Sequence, residues 1–277
     1  MTADGKPTFL PGQVRQEYQV SVYYRLCKYL PFEVSNKRVK GWEYQRALPD
    51  GGKLVMIAHE TITPGDVFVL IAGIKVFQDH QDLVLPSTIQ SLNKMVELLS
   101  ITINWKHLRQ EYLKHNNLEK LVESLRRLSS FQAVWYLNDG SVINHRYLWD
   151  YSLDSGQHNV TLTISKAFAI LCFEKGWLLN FNYLQRISSP TGRALFLYFS
   201  SNSGLLYKQE TLERWLGLMT DGSKKARDNR KQIKRALEEL VRVGFLEEYS
   251  LSGGKVNIIH RRHKKGTPPP QCVTSTI

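Results

Sequence analysis

The stretch Ser223–Gly244, SKKARDNRKQIKRALEELVRVG, constrains the fold more than any other part of the chain. At the helical repeat, Ala226, Ile233, Leu237 and Leu240 fall on one stripe, while Lys224, Arg227, Lys231 and Arg235 fall on the opposite face. An apolar stripe at this spacing lies against a core and leaves the basic face outward. Residues 223–235 hold seven Lys or Arg and one Asp, a local net of +6, which is half of the chain's +12. A helix fits the width of a DNA major groove, and a basic outer face suits the phosphates that border it. The segment is therefore read as a recognition helix. Lys225 and Lys234 add to its charge, and Arg230 sits nearer the edge of the buried stripe. A solvated basic helix that touches nothing is the alternative, since charge runs are commonly surface.

A chain of 277 residues with 42% hydrophobic content holds one large core or two modest ones. The sequence contains no apolar run of bilayer length, and MTADGKPTFLPG lacks a signal-peptide core, so a cytoplasmic location without membrane attachment is expected. Cys27, Cys172 and Cys272 are odd in number and widely spaced, which points to reduced structural thiols. A sequence pI near 9.5 favours a polyanionic partner; RNA and anionic membrane also satisfy that, so the placement of charge decides.

The chain reads as α+β, with two tandem winged-helix domains and antiparallel β wings. An N-terminal extension covers 1–36, the first winged helix 37–165, a linking helix 166–188, the second winged helix 189–265, and a disordered tail 266–277. In the first, residues 39–59 alternate around the turn PDGG and predict a hairpin. Thr63-Pro64-Gly65-Asp66 starts a helix, Pro86-Ser87-Thr88 opens a second through STIQSLNKMVELLSI, and a third begins near Asn116. FQAVWYL, VINHRYLWDYSL and NVTLTIS read as three strands. In the second, Ser189-Pro190-Thr191 opens a helix, LLY is extended, QETLERWLGL is helical to about Gly217, and the basic helix follows. Phe245–Leu251 and Val256–His260 form a hairpin wing with Lys255 at its tip.

Two winged-helix elements then carry the DNA contacts. Arg reads a base edge better than Lys, because its planar fork bonds guanine at two atoms. The run HRRHKK at 260–265 places Arg261 and Arg262 beside the wing, either as phosphate contacts or as an ordinary charged exit strand. In the first domain the third helix balances Lys120, Arg126 and Arg127 against Glu119 and Glu123, which fits a core helix with a solvated face. A protein–protein role suits that domain better, with the edge of strands 131–151 as a pairing surface. Trp135, Tyr136, Tyr147, Trp149 and Tyr151 read as sheet packing, and Arg193 as fixing a local interaction.

No catalytic constellation is visible. Gly253-Gly254-Lys255 lacks the rest of a phosphate loop, no His-x-His pair serves a nicking enzyme, and Asp79-His80-Gln81-Asp82 has the wrong spacing for metal carboxylates and reads as a loop. His260 and His263 lack further ligands, so neither a metal nor a cofactor is expected.

The segments TPGDVFVLIAGIKVF (63–77), SSPTGRALFLYFSSNSG (188–204), ETLERWLGL (210–218) and KKARDNRKQIKRALEELVRVGFL (224–246) resemble the iteron-type plasmid replication initiators (Rep proteins), replication initiator protein A-like. They cover roughly half of the chain. The resemblance implies binding to direct repeats at a plasmid origin, opening of the duplex, and recruitment of the host replication initiator and helicase. It further implies a monomer that initiates and a homodimer that represses its own gene. A winged-helix transcriptional regulator and, from another class, a nicking or primase-like enzyme remain open at this stage.

Overall fold

The computed structural model describes residues 19–23, 32, 34, 39–47, 51–80, 98–114, 118–148, 150–154, 156, 158–165, 168–169, 171–172, 176–202, 204–218 and 223–260. The architecture is α+β, with several small antiparallel sheets among the helices. Strand β1 (Gln19–Tyr23) precedes the hairpin β2 (Lys40–Ala47) and β3 (Lys53–Glu60). Helix α1 (Pro64–His80) follows, then β4 (Leu98–Asn104) and the helical turn α2 (Trp105–His107), which continues as a π-type turn over Leu108–Leu113. Helix α3 (Leu118–Ser130) leads to β5 (Gln132–Tyr136), β6 (Val142–Arg146), β7 (Asp150–Asp154) and β8 (Asn159–Ser165). Strand β9 (Gly176–Asn180) and α4 (Phe181–Arg186) connect to α5 (Pro190–Ser201), β10 (Leu206–Lys208) and α6 (Gln209–Trp215). Helix α7 (Ser223–Arg242) and the hairpin β11 (Leu246–Ser252) and β12 (Lys255–His260) complete the described chain.

Two sets of elements share one order. Helix α1, β4, α2, α3, β7 and β8 follow each other as α5, β10, α6, α7, β11 and β12 do. In both sets the first strand pairs with the third, giving sheets β4-β8-β7 and β10-β12-β11. The first set carries an insertion, the β5-β6 hairpin, between its last helix and its second strand. That hairpin joins β2-β3 in a four-stranded sheet ordered β2-β3-β5-β6.

Buried residues from Val20 to Ile258 form one continuous apolar cluster across both sets. Helix α1 is apolar on nearly every side because it is covered on several: α3, α5 and β1 all pack against it. Asp66 anchors its start, its Oδ2 accepting from both the N–H and the hydroxyl of Thr63 at 2.9 Å. Between the sets, Arg46 of β2 donates to the Trp215 carbonyl at 3.3 Å and lies 5.0 Å from the Trp215 ring centroid. Gln185 of α4 donates to the carbonyls of Glu111 (2.5 Å) and Tyr112 (3.2 Å).

Several segments depart from the sequence reading. The single helix expected across 166–188 is broken: residues 176–180 form β9, which pairs residue for residue with β1, and only Phe181–Arg186 follow as a helix. Strand β1 therefore brings part of the expected N-terminal extension into the core. The end of the expected helix from Ser87 is instead β4, while residues 81–97 lie outside the described residues. VINHRYLWDYSL divides into β6 and β7, which belong to different sheets. Asp79 is not in a loop; it ends α1, bound by Lys75 at 2.5 Å.

Candidate nucleic-acid interface

Helix α5 is the base on which the basic helix α7 rests. Ser189 caps it by accepting from the Gly192 N–H at 3.0 Å, with Pro190 at the first helical position where no N–H is needed. Its residues Ala194 to Phe199 are all buried. The short α6 ends at Gly217, whose φ of +68° suits a residue without a Cβ.

Helix α7 buries Ile233, Ala236, Leu237 and Leu240 against α5 and β11. Each large side chain of that stripe contributes about 1.5–3 kcal/mol through burial. Ala226, expected on the stripe, is only half-buried because it lies about two turns before Ile233, where the tightly packed part begins. The helix stops in a C-cap closed by a left-handed glycine. Phe245 N–H donates to Leu240 O at 3.0 Å and Gly244 N–H to Val241 O at 2.9 Å, with Gly244 at φ +84°.

Polar ties fix this helix in rotation. Asn229 Nδ2 donates to Leu218 O at 2.5 Å, Gln232 Nε2 to Thr191 Oγ1 at 2.6 Å, and the buried Glu239 carboxylate faces the start of α5. Glu239 Oε1 accepts from the N–H and the hydroxyl of Ser188 at 2.8 and 2.7 Å, and its other oxygen accepts from the Ser189 hydroxyl. Burial alone would raise the Glu239 carboxyl, but the bonds from Ser189 and Ser188 outweigh it and hold the group below its ordinary value. Beside it, burial pulls Arg193 down to about 10 while the Glu239 charge opposes the fall. Arg193 Nε donates to Ile187 O at 2.9 Å, and its guanidinium lies 4.1 Å from the Phe68 ring centroid, so it fixes α5 to α1.

The opposite face of α7 is open. Arg227, Lys231, Lys234 and Arg235 are exposed. Arg230, nearer the edge of the stripe, is exposed as well. Lys234 meets Glu238 at 3.8 Å, a long surface pair of little energetic weight. Among the described residues, Arg227, Arg230, Lys231 and Arg235 have no acidic partner. Lys224 and Lys225 belong to the first turn of α7 by backbone, but their side chains lie outside what is described, as do Arg261 and Arg262 entirely. Lys255 begins β12, exposed, next to the turn Gly253-Gly254.

The corresponding helix α3 is different. Arg127 is buried and donates from Nη2 to Asp66 Oδ1 at 2.8 Å and from Nε at 3.1 Å; Arg126 reaches Glu60 at 3.1 Å. Arg127 is thus held inside the fold, while Arg126 is exposed but tied to Glu60. Trp135 and Tyr147 are fully buried, as sheet packing requires, whereas Tyr136 is exposed; Trp149 lies outside the described residues. Cys172 is buried and its thiol is pushed up to about 12, by burial first. Cys27 and Cys272 lie outside the described residues. Among the described residues, no helix is long and apolar enough to cross a membrane.

Asn229, Gln232 and Glu239 escaped the sequence reading. Their signal was weak but present: on a helical wheel all three sit on the same flank of the Ile233–Leu237–Leu240 stripe, where a polar side chain meets the neighbouring helix. No protein-family model matches this chain, and a search of curated proteins found no match.

Proposed function

We propose that this protein binds double-stranded DNA through α7, as the recognition helix of the second of two tandem winged-helix domains, and that it initiates plasmid replication at repeated origin sites. The observation that carries the DNA part is the outer face of α7: Arg227, Arg230, Lys231 and Arg235 are exposed and have no acidic partner among the described residues, on a helix whose other face is locked by Glu239, Gln232 and Asn229. A rigid helix whose outer cations meet no acidic side chain among the described residues suits a phosphate-lined groove, and its three arginines offer planar forks to base edges. The matching order of elements in the two sets, each with its first strand beside its third, supports the tandem arrangement. The initiator role rests on the resemblance to the iteron-type initiators, and with it the monomer–homodimer exchange and the contacts to host initiator and helicase.

Footprinting of the purified protein on DNA flanking its own gene, at low and near-physiological salt, tests the reading. Evenly spaced protected direct repeats are expected. One protected palindrome would make it a promoter-bound regulator instead, and protection that vanishes uniformly with salt would leave only a basic surface.

A further inference from the structure

The register of the β10-β12-β11 sheet places Lys208 opposite Lys255, and Lys255 opposite Ser252. Paired residues on neighbouring strands share a face, so the three side chains form one row across the sheet. The alternation of burial agrees: Tyr207 and Val256 point inward, while Lys208, Ser252 and Lys255 are exposed. Like charges directly opposite each other are unfavourable by themselves. Neither lysine has an acidic partner among the described residues.

The first set supplies an internal comparison. Its row at the same place, at the turn end of the hairpin and just before the next helix, is Asn104, Asn159 and Asp154. Asn104 and Lys208 are both the residue that precedes and caps the following helix. Asn104 uses its side chain for that cap, accepting from Lys106 N–H at 2.9 Å, whereas Lys208 makes no such bond. One architecture thus carries a net negative row in the first sheet and two adjacent cations in the second. The second row is also firmly placed. Gly253 and Gly254, at φ +55° and +71°, close the hairpin in two residues, and Gln209 N–H donates to Gly254 O at 2.8 Å. No atom lies within 4 Å of where a Cβ would stand at either glycine, so the backbone there is open to a close approach.

We propose that Lys208, Lys255 and Ser252 form a backbone-phosphate site of the duplex that α7 engages, with one phosphate oxygen set relieving the repulsion between the two lysines. The site rests on the DNA-binding reading and adds to it a contact on a second element. Asn104, Asn159 and Asp154 leave the first sheet without an equivalent.

The test is the salt dependence of binding between 50 and 200 mM KCl, for the full chain and the duplex found by footprinting. Lys208→Asn and Lys255→Asn, which copy the first row, are each expected to lower the slope of log affinity against log salt by about 0.9, and the double variant by about twice that. Ser252→Ala should weaken binding with the slope unchanged, because a hydroxyl displaces no counterion. Lys53→Asn, on the β2-β3-β5-β6 sheet, should leave both affinity and slope unaltered. Thermal midpoints of the lysine variants should hold or rise. A Lys208→Asn slope equal to that of the unaltered protein, with specific binding retained, overturns the phosphate site and leaves the α7 reading standing. Failure of the unaltered protein to bind any duplex overturns both.

Discussion

Glu239, on the inner side of α7, accepts the backbone N–H of Ser188 at 2.8 Å, immediately before the cap of α5. The two residues are 51 apart in sequence, and their bond joins the helix with the exposed basic face to the start of the helix it packs on. A buried carboxylate with several donors is rigid in a way that a purely apolar contact is not, because hydrogen bonds fix angle as well as distance.

Replacing Glu239 with Gln should lower stability at pH 7 by about 1–3 kcal/mol, since an amide NH₂ would face donors that need an acceptor. The folded-state value of Glu239 is lowered, so its contribution is complete above the ordinary glutamate value of about 4.5 and is lost as pH falls through the folded value. Urea denaturation at pH 7 and at progressively lower pH checks both parts. The variant should start less stable and lose less on acidification; equal stability at pH 7 would remove Glu239 from this role.

Gly192 gives an independent test of the same junction. A Cβ there would stand 2.5 Å from Glu239 Oε2, 2.7 Å from Ser189 Oγ and 2.9 Å from Ile187 Cγ2. Gly→Ala inside a helix ordinarily adds up to about 1 kcal/mol. Here the overlap should dominate, and Gly192→Ala should destabilise by about 1–3 kcal/mol. A rise in the denaturation midpoint would show that the junction yields freely.

What the sequence made legible was local. The stripe of α7 from Ile233 onward, the Ser189 cap, the Thr63–Asp66 start of α1 and the Gly253-Gly254 turn all follow from spacings of a few residues, and each stands where those spacings put it. What escaped depended on distant partners. GWLLN has no period-two alternation, and a short apolar run reads equally as helix or strand until β1 is seen beside it. LLSITIN does alternate, with Ile101 and Ile103 buried and Ser100 and Thr102 exposed, so β4 was readable had the preceding helix signal not been extended over it. The charge balance of α3 pointed to a core helix with a solvated face, but it set Arg127 against Glu119 and Glu123 and could not show that its main partner is Asp66, 61 residues away.

That pair predicts a contrast within the chain. Arg127 is 3% exposed and Asp66 1%, so Arg127→Ala would leave a carboxylate buried without its counter-charge. Breaking such a pair costs about 3–5 kcal/mol. The variant should unfold at a clearly lower denaturant concentration, while the fraction that remains folded binds DNA as the unaltered protein does. Unchanged stability would mean that water reaches Asp66.

Arg227→Ala and Arg235→Ala should behave in the opposite way. Both side chains are exposed and without acidic partners among the described residues, so their loss removes no internal contact, and thermal midpoints should stay within the small range of surface substitutions. On the specific site each should cost on the order of 1–3 kcal/mol if it bonds a base edge, with relaxed discrimination at one base position. An arginine that touches only phosphate would instead weaken specific and random duplex alike and lower the salt slope by about one. Titrations on the footprinted site, on a single-base variant of it and on random duplex separate these outcomes. Affinity unchanged for both arginine variants on all three duplexes would sink the docking of α7 in a major groove, because no arrangement that places this face against DNA spares both side chains.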